Sequence, residues 1–190
     1  VRFDGYDYRV VEIGDQCWFA ENLRSEHYAD GTPIRYVNRS EEWIREIGAV
    51  TVYNHTSKFV NYGRLYNWYA VNDSRNLCPN GWHVPTDGEW TQLTDFLGGA
   101  SVAGNSMKSS SKDSPSWDGT NMSGFSALAS GSCDYDKTFD KLRENVYFWS
   151  SSPDGEKISD YIHTNSWIRR IHSGDAEVYR NLCSCLYGLS

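Results

Sequence analysis

The sequence predicts an α+β fold with two main helices, a mostly antiparallel sheet and long loops. One observation is a strong helix start at Thr86, and a second is a stretch of helical spacing shortly before it. A third is a series of short β-like runs near the C-terminus, separated by polar turns at 153–155 and 173–175. Helices followed by antiparallel strands are typical of α+β domains. A length of 190 residues suits a single domain, here 1–190.

The N-terminal segment predicts a β-hairpin. Apolar and polar residues alternate around Tyr6, Tyr8 and Val10, and Gly14-Asp15 supplies a turn. We interpret residues 1–58 as a hairpin-containing extension of the domain. Within it, Ser40 is a candidate cap for a short helix that ends at Ile47.

Two segments predict the main helices. The first spans about 63–72, where Leu65, Trp68, Tyr69 and Asn72 recur at helical spacing. The second begins in CPNGWHVPTDGEWTQL (78–93), where Thr86 is a candidate N-cap and Glu89 closes a capping box. Such a cap stabilises a helix by about 1 kcal/mol. Trp90, Leu93 and Leu97 form one apolar face, and Gly98-Gly99 ends the helix.

The remaining chain predicts a loop followed by strands. Residues 100–124 are rich in Ser, Gly, Lys and Asp, so we expect a long surface loop held by Trp117. The alternation and turn signals beyond it predict strands at 124–130, 146–152, 166–172 and 176–182.

Composition excludes several classes of function. A net charge of −7 argues against a nucleic-acid partner, which needs clustered Lys and Arg. No apolar run is long enough to predict a transmembrane segment. The five cysteines lack a CxxC pair, which argues against a zinc ribbon, and their odd number leaves one thiol without a partner in the chain.

Neither the histidines nor the acidic residues predict a metal or a cofactor. His83 precedes the second helix, where a structural hydrogen bond is the more common role. The other histidines lack metal-binding spacing. Asp134, Asp136 and Asp140 alternate without the glycine and glutamate of a calcium loop, which is typical of a solvated face.

Several motifs closely resemble the Fibrobacter succinogenes major paralogous domain along nearly the whole chain. They are WFAENL (18–23), YGRLYNWYAVN (62–72), CPNGWHVPTDGEWTQL (78–93), SGFSAL (123–128) and FWSSS (148–152). The resemblance implies a C-type lectin-like fold related to formylglycine-generating-enzyme-like domains. It also implies a compact domain whose terminal strands carry a ligand surface.

The resemblance is incomplete at the C-terminus. Family members typically finish with a GFSVRC-like strand, whereas this sequence has Tyr187-Gly188-Leu189-Ser190. The cysteine that the resemblance implies as a partner for Cys78 is therefore expected to be missing. Either the sequence is short at its end or Cys78 is a free thiol.

Residues 158–190 are a candidate variable ligand-binding region. They contain no Lys, Met or Gln, and only Trp167 and Glu177 fall outside the residues reachable when the first two bases of an AAY asparagine codon are randomised. This pattern resembles variable proteins of diversity-generating retroelements, which diversify C-terminal codons on a C-type lectin-like scaffold. An ordinary polar β-ribbon explains the pattern nearly as well.

The favoured hypothesis is a non-enzymatic ligand-binding or display protein on a cell surface, outside the cell or on a virus particle. Its partner is expected to be a protein or cell-surface ligand, with glycans among the candidates, and Tyr and Arg suit such a surface. The candidate contact residues are Tyr161, His163, Asn165, Trp167, Arg169, His172, Asp175, Tyr179, Asn181, Cys183, Cys185 and Tyr187.

Two alternatives remain open. A fixed-specificity adhesin or carbohydrate-binding module would stack Trp167, Tyr161 and Tyr179 on sugar rings. A thiol-dependent oxidase of the formylglycine type would use Cys183 and Cys185, as the resemblance suggests. Their neighbours Leu182 and Leu186 are apolar and do not form a polar site, which disfavours that cysteine pair.

Overall fold

A computed structural model describes residues 1–38, 47–133, 138–152, 168–171 and 185–187. These residues form the mixed α+β architecture predicted by the sequence. The helices are α1 (Trp68–Val71), α2 (Asp87–Phe96) and α3 (Ala100–Met107), with 3-10 turns at Tyr53–His55 and Ser57–Tyr62. No helix among the described residues is both long and apolar enough to cross a membrane.

The strands are short and gather into several small sheets. They are β1 (Arg2–Phe3), β2 (Tyr6–Asp7), β3 (Val10–Ile13), β4 (Gln16–Phe19), β5 (Arg35–Tyr36), β6 (Ala49–Thr51), β7 (Leu65–Tyr66), β8 (Trp82–His83), β9 (Ser130–Cys133), β10 (Phe139–Leu142), β11 (Val146–Trp149), β12 (Ile168–Ile171) and β13 (Leu186–Tyr187).

A four-stranded sheet joins distant parts of the sequence in the order β3-β4-β13-β8. The predicted hairpin is confirmed as β3 and β4, with Ile13 opposite Gln16. Gly14 supplies the left-handed φ of 61° that the turn requires. Residues before this hairpin form a second one from β1 and β2.

The predicted helix at 63–72 is wrong over its first half. Leu65 and Tyr66 form β7, which pairs antiparallel with β6, while β5 pairs parallel with β6 on its other side. Only Trp68–Val71 is helical, and the Asn67 side chain caps it by accepting a hydrogen bond from the Ala70 amide. Pairing with a distant strand overrides the local helical spacing here.

The prediction for the second helix is confirmed by α2. Thr86 is its N-cap, and Thr86 and Glu89 form the reciprocal capping box. Trp90 and Leu93 are buried, and Gly98 and Gly99 follow with left-handed φ values of 96° and 102°. The helix therefore begins and ends where its local signals indicate.

The predicted loop at 100–124 is wrong over its first third, which forms α3. Ala103 and Met107, four residues apart, are buried against the core. Two buried positions at helical spacing are enough to pack this helix despite its small and polar residues. Beyond α3, Trp117 packs against the core as expected.

The C-terminal strand predictions are confirmed only in part. The predicted strand at 124–130 is displaced, because β9 begins at Ser130. Strands β11 and β12 lie within the predicted ranges 146–152 and 166–172. The predicted strand at 176–182 lies outside the described residues, as does nearly all of the predicted helix at 40–47.

Two aromatic clusters form the core, and β4 and β11 each supply residues to both. Trp18 of β4 and Phe148 of β11 belong to the first cluster, where the Trp18 and Trp90 ring centroids are 4.7 Å apart. Phe19 of β4 and Trp149 of β11 belong to the second cluster. Because adjacent residues on a strand point to opposite faces, these two strands separate the two clusters.

Candidate functional site

The candidate ligand-binding region is attached to the core first through β12. This strand pairs antiparallel with β11, with Arg169 opposite Phe148 and Ile171 opposite Val146. All four residues of β11 are buried. The first attachment of the region is therefore a backbone pairing with a strand whose four residues are all buried.

Side-chain hydrogen bonds hold β11 in register with its neighbours. The indole of Trp149 donates to the Tyr66 carbonyl at 2.8 Å, and the indole of Trp90 donates to the Trp149 carbonyl at 3.1 Å. Buried indole N–H groups need such partners, so these bonds fix the position of β11 relative to β7 and α2.

The FWSSS motif links the end of β11 to the start of α2. The Ser151 amide donates to the Pro85 carbonyl at 2.8 Å. The Asp87 amide, at the first position of α2, donates to the Ser152 hydroxyl oxygen at 2.9 Å. The chain therefore leaves the core for the candidate region from a fixed point.

The second attachment is β13, which lies between β4 and β8. Leu186 is opposite Trp18 on one side and His83 on the other, and Tyr187 is opposite Trp82. The Phe19 amide also donates to the Cys185 carbonyl at 3.0 Å. A strand near the end of the sequence thus completes a sheet that begins at its start.

A disulfide between Cys78 and Cys185 secures this second attachment. The two Cα atoms are 5.8 Å apart, and the bond closes a separation of 107 residues. Both cysteines are fully buried in the second aromatic cluster. The bond ties β13 to the segment that leads into β8 and α2.

The disulfide corrects two predictions. Cys78 was expected to have lost its partner, but that partner is Cys185. Cys185 was also expected to belong to the contact surface, but its side chain is buried and bonded, so it offers no area to a ligand. The sequence contained a signal, since two cysteines lie near the end, but the altered residues around them hid the pairing.

The disulfide also bears on the thiol-oxidase hypothesis. Cys185 is bonded to Cys78 and cannot act as one of two free thiols. The free thiol of Cys17 is half-buried, and burial and the nearby Glu12 carboxylate both raise its pKa. The raised pKa disfavours a Cys17 thiolate at neutral pH. Cys133 is buried and is not part of the disulfide.

The structure describes the backbone of two other candidate contact residues. Arg169 lies on β12 and Tyr187 on β13, one on each attachment. The remaining candidates lie outside the described residues: Tyr161, His163, Asn165, Trp167, His172, Asp175, Tyr179, Asn181 and Cys183.

His83 lies on β8, beside β13, and its contacts agree with a structural role. Its Nε2 is 2.9 Å from Oε1 of Glu89, the capping-box residue of α2. Partial burial alone would raise the pKa of Glu89, but hydrogen bonds from the Thr86 amide and hydroxyl and from His83 outweigh it and lower that pKa. The ionised Glu89 therefore links β8 to the start of α2. Among the described residues, no group of His, Cys, Asp or Glu is arranged to hold a metal ion.

The architecture defines a mixed α+β domain whose C-terminal region is attached to the core by one paired strand and one disulfide-linked strand. The chain belongs to the Fibrobacter succinogenes major domain family, whose model matches residues 11–185. The matched range contains all five motifs that carry the resemblance, and it ends at the disulfide cysteine. No curated protein and no solved structure matches the chain.

Proposed function

We propose that the protein is a non-enzymatic ligand-binding or display protein with a sequence-diversified binding face formed by residues 158–190. It has a C-type lectin-like scaffold and is a variable protein of a diversity-generating retroelement. Its partner is a protein or other cell-surface ligand, and it acts on a cell surface or a virus particle.

The observation that carries the proposal is the double attachment of the candidate region. Strand β12 holds it to β11, and the disulfide and β13 hold its far end. Residues 153–167 precede the first attachment, and residues 172–184 connect the two. Anchored in this way, the connecting segments lose less conformational entropy when they bind a partner.

The location of the aromatic clusters also supports the proposal. Among the residues whose burial the structure describes, those of the two clusters lie before Ser150, apart from Cys185. The described part of the core is therefore built from residues outside 158–184. Surface substitutions away from a core usually change stability by about 0.5 kcal/mol or less, so such a scaffold tolerates many sequences in this region.

A library experiment tests the proposal. Tyr161, His163, Asn165, His172, Asp175, Tyr179 and Asn181 are randomised together, and displayed variants are selected against a defined protein such as hen lysozyme. We expect binders of micromolar affinity or better, with melting temperatures within about 2 °C of the parent. A control library at the exposed α3 positions Ser101, Val102 and Asn105 should give few or none.

Two results would contradict the proposal. One is unfolding of most variants in the first library, which would show that the region is part of the core. The other is an equal yield of binders from the two libraries.

Diversification itself predicts a second copy of the 158–190 coding segment that differs mainly at adenines and lies beside a reverse-transcriptase gene. A genome without such a copy would remove that part of the proposal.

A further inference from the structure

A polar cleft of about 470 Å³ lies outside the C-terminal region. One wall comes from the β1–β2 hairpin and from Glu21 and Arg24, which follow β4. The other wall comes from the segments after α3, including Ser109 and Asp113. The volume lies within the range of small-molecule sites in proteins, about 300–1,000 Å³.

The buried carboxylate of Glu21 is already neutralised within the first wall. The Tyr6 hydroxyl donates to it at 2.7 Å, Arg24 at 3.1 Å and the Arg9 amide at 3.1 Å. The Arg24 guanidinium also lies over the Tyr6 ring, 4.4 Å from its centroid. Glu21 and Arg24 neutralise each other, while Asp7 and Arg9 place one charge of each sign on the same wall.

The second wall presents the carboxylate of Asp113, which is also held by neighbouring groups. The Ser110 amide donates to Asp113 at 2.6 Å and the Asn121 side chain at 3.1 Å. These hydrogen bonds lower the pKa of Asp113, and the positive charge of Arg9 on the facing wall contributes. The cleft therefore combines a partnered carboxylate on one side with guanidinium groups on the other.

Two residues that line the cleft carry buried polar atoms with unused hydrogen-bonding capacity. The Nε of Arg24 and the Oγ of Ser109 have no hydrogen-bond partner among the residues described by the structure. Buried polar atoms in native proteins nearly always have a partner, from the protein, from water or from a ligand. One of these atoms is a donor and the other can donate or accept.

We propose that this cleft binds an uncharged, hydroxyl-rich ligand of one or two sugar rings. An anion would meet the carboxylates of Asp7, Glu21 and Asp113, and a cation would meet Arg9 and Arg24. Sugar hydroxyls donate and accept at the same atom, so they match donors and acceptors alternating around the cleft without needing a net charge. The site is separate from residues 158–190 and does not depend on their function.

Titration of the labelled protein with maltose, cellobiose and lactose, followed by NMR, tests the proposal. We expect at least one disaccharide to shift the amide signals of Arg9, Arg24 and Asp113 in a saturable way. Glucuronate and glucosamine, which carry opposite charges on a single ring, should bind more weakly than glucose.

Ser109→Ala and Asp113→Asn are the informative variants, and Ser101→Ala on α3 is the matched control. Ser109→Ala removes a hydroxyl with no internal partner among the described residues, so the melting temperature should not fall, whereas affinity should fall about three- to tenfold. Asp113→Asn should weaken binding similarly, and Ser101→Ala should not. The proposal is overturned if none of the three disaccharides binds, if a charged sugar binds best, or if Ser109→Ala and Ser101→Ala bind equally well.

Discussion

Single residues decide how closely some backbone segments approach each other, and Gly131 in β9 is the clearest example. Its φ is +67°, and a Cβ at this position would touch the Asp140 carbonyl and lie 2.8 Å from both the Leu142 amide nitrogen and the Tyr53 ring. Gly31 has a comparable φ of +83° but open space around it. Comparing substitutions at these two glycines therefore distinguishes the cost of backbone strain from the cost of steric overlap.

We predict that Gly131→Ala destabilises the protein more than Gly31→Ala. Strain at a left-handed φ costs about 1–2 kcal/mol in both variants. Overlap with β10 should add about 1–3 kcal/mol at Gly131 alone. Urea unfolding of both variants measures the difference, and equal losses would show that β10 moves away without cost.

Asp4 joins the β1–β2 hairpin to the segment after β4 through three hydrogen bonds. It accepts from the Glu26 amide at 2.6 Å, the Ser25 hydroxyl at 3.0 Å and His27 at 2.7 Å. Burial alone would raise the pKa of Asp4, but these bonds outweigh it and lower the pKa below 3.8.

The direction of this pKa shift predicts a specific acid dependence. A depressed pKa in the folded state contributes stability above the unfolded value of 3.8, and this contribution is lost as pH falls through the folded value. The Asp4→Asn variant should therefore be less stable than the parent by about 1 kcal/mol at pH 5. Asparagine tolerates the left-handed φ at this position, so the substitution adds no backbone strain. The difference should shrink below pH 3.8. A constant difference across this range in chemical unfolding would contradict the assignment.

At the scale of elements, the position of β13 is set by its two neighbouring strands and by the disulfide. The strand is only two residues long, and the Cys78–Cys185 bond lies directly before it, so this bond restrains its position together with the pairing to β4 and β8. A bond that closes such a long loop typically stabilises a protein by about 3–5 kcal/mol, largely by restricting the unfolded chain.

We predict that the Cys78→Ala, Cys185→Ala double variant loses about 3–5 kcal/mol of unfolding free energy relative to the oxidised parent. Adding a reductant should lower the unfolding free energy of the parent toward that of the double variant and leave that of the double variant unchanged. Cys17→Ala, which removes a free thiol, serves as the control and should retain the response to reductant. If the double variant matched the oxidised parent in stability, the bond would not anchor β13.

At the scale of the whole molecule, local sequence signals predicted some helices and strands and missed others. Helix α2 was predictable because its start depends on Thr86 and Glu89, three residues apart. Strand β7 was not, because it depends on pairing with β6 rather than on its own spacing. Helix α3 was missed because its composition suggested a loop, while two buried positions suffice to pack it.

The candidate site followed the same rule. The composition of residues 158–190 marked them as a candidate binding region, but it did not reveal how that part of the chain is attached. The partner of Cys78 lies 107 residues away, and nothing local distinguished Cys185 from Cys183. Long-range partners are chosen by the assembled fold, so they become visible only once the strands are placed.

The position of β13 has a consequence for biosynthesis. It lies between β4 and β8, although it follows both of them in the chain. A ribosome that stalls before residue 185 would release a product in which β4 of the N-terminal hairpin has an unpaired edge and Cys78 has no disulfide partner. Such incomplete products would expose an unpaired strand edge to proteases and chaperones, so the architecture favours the survival of products that contain the whole of residues 158–187.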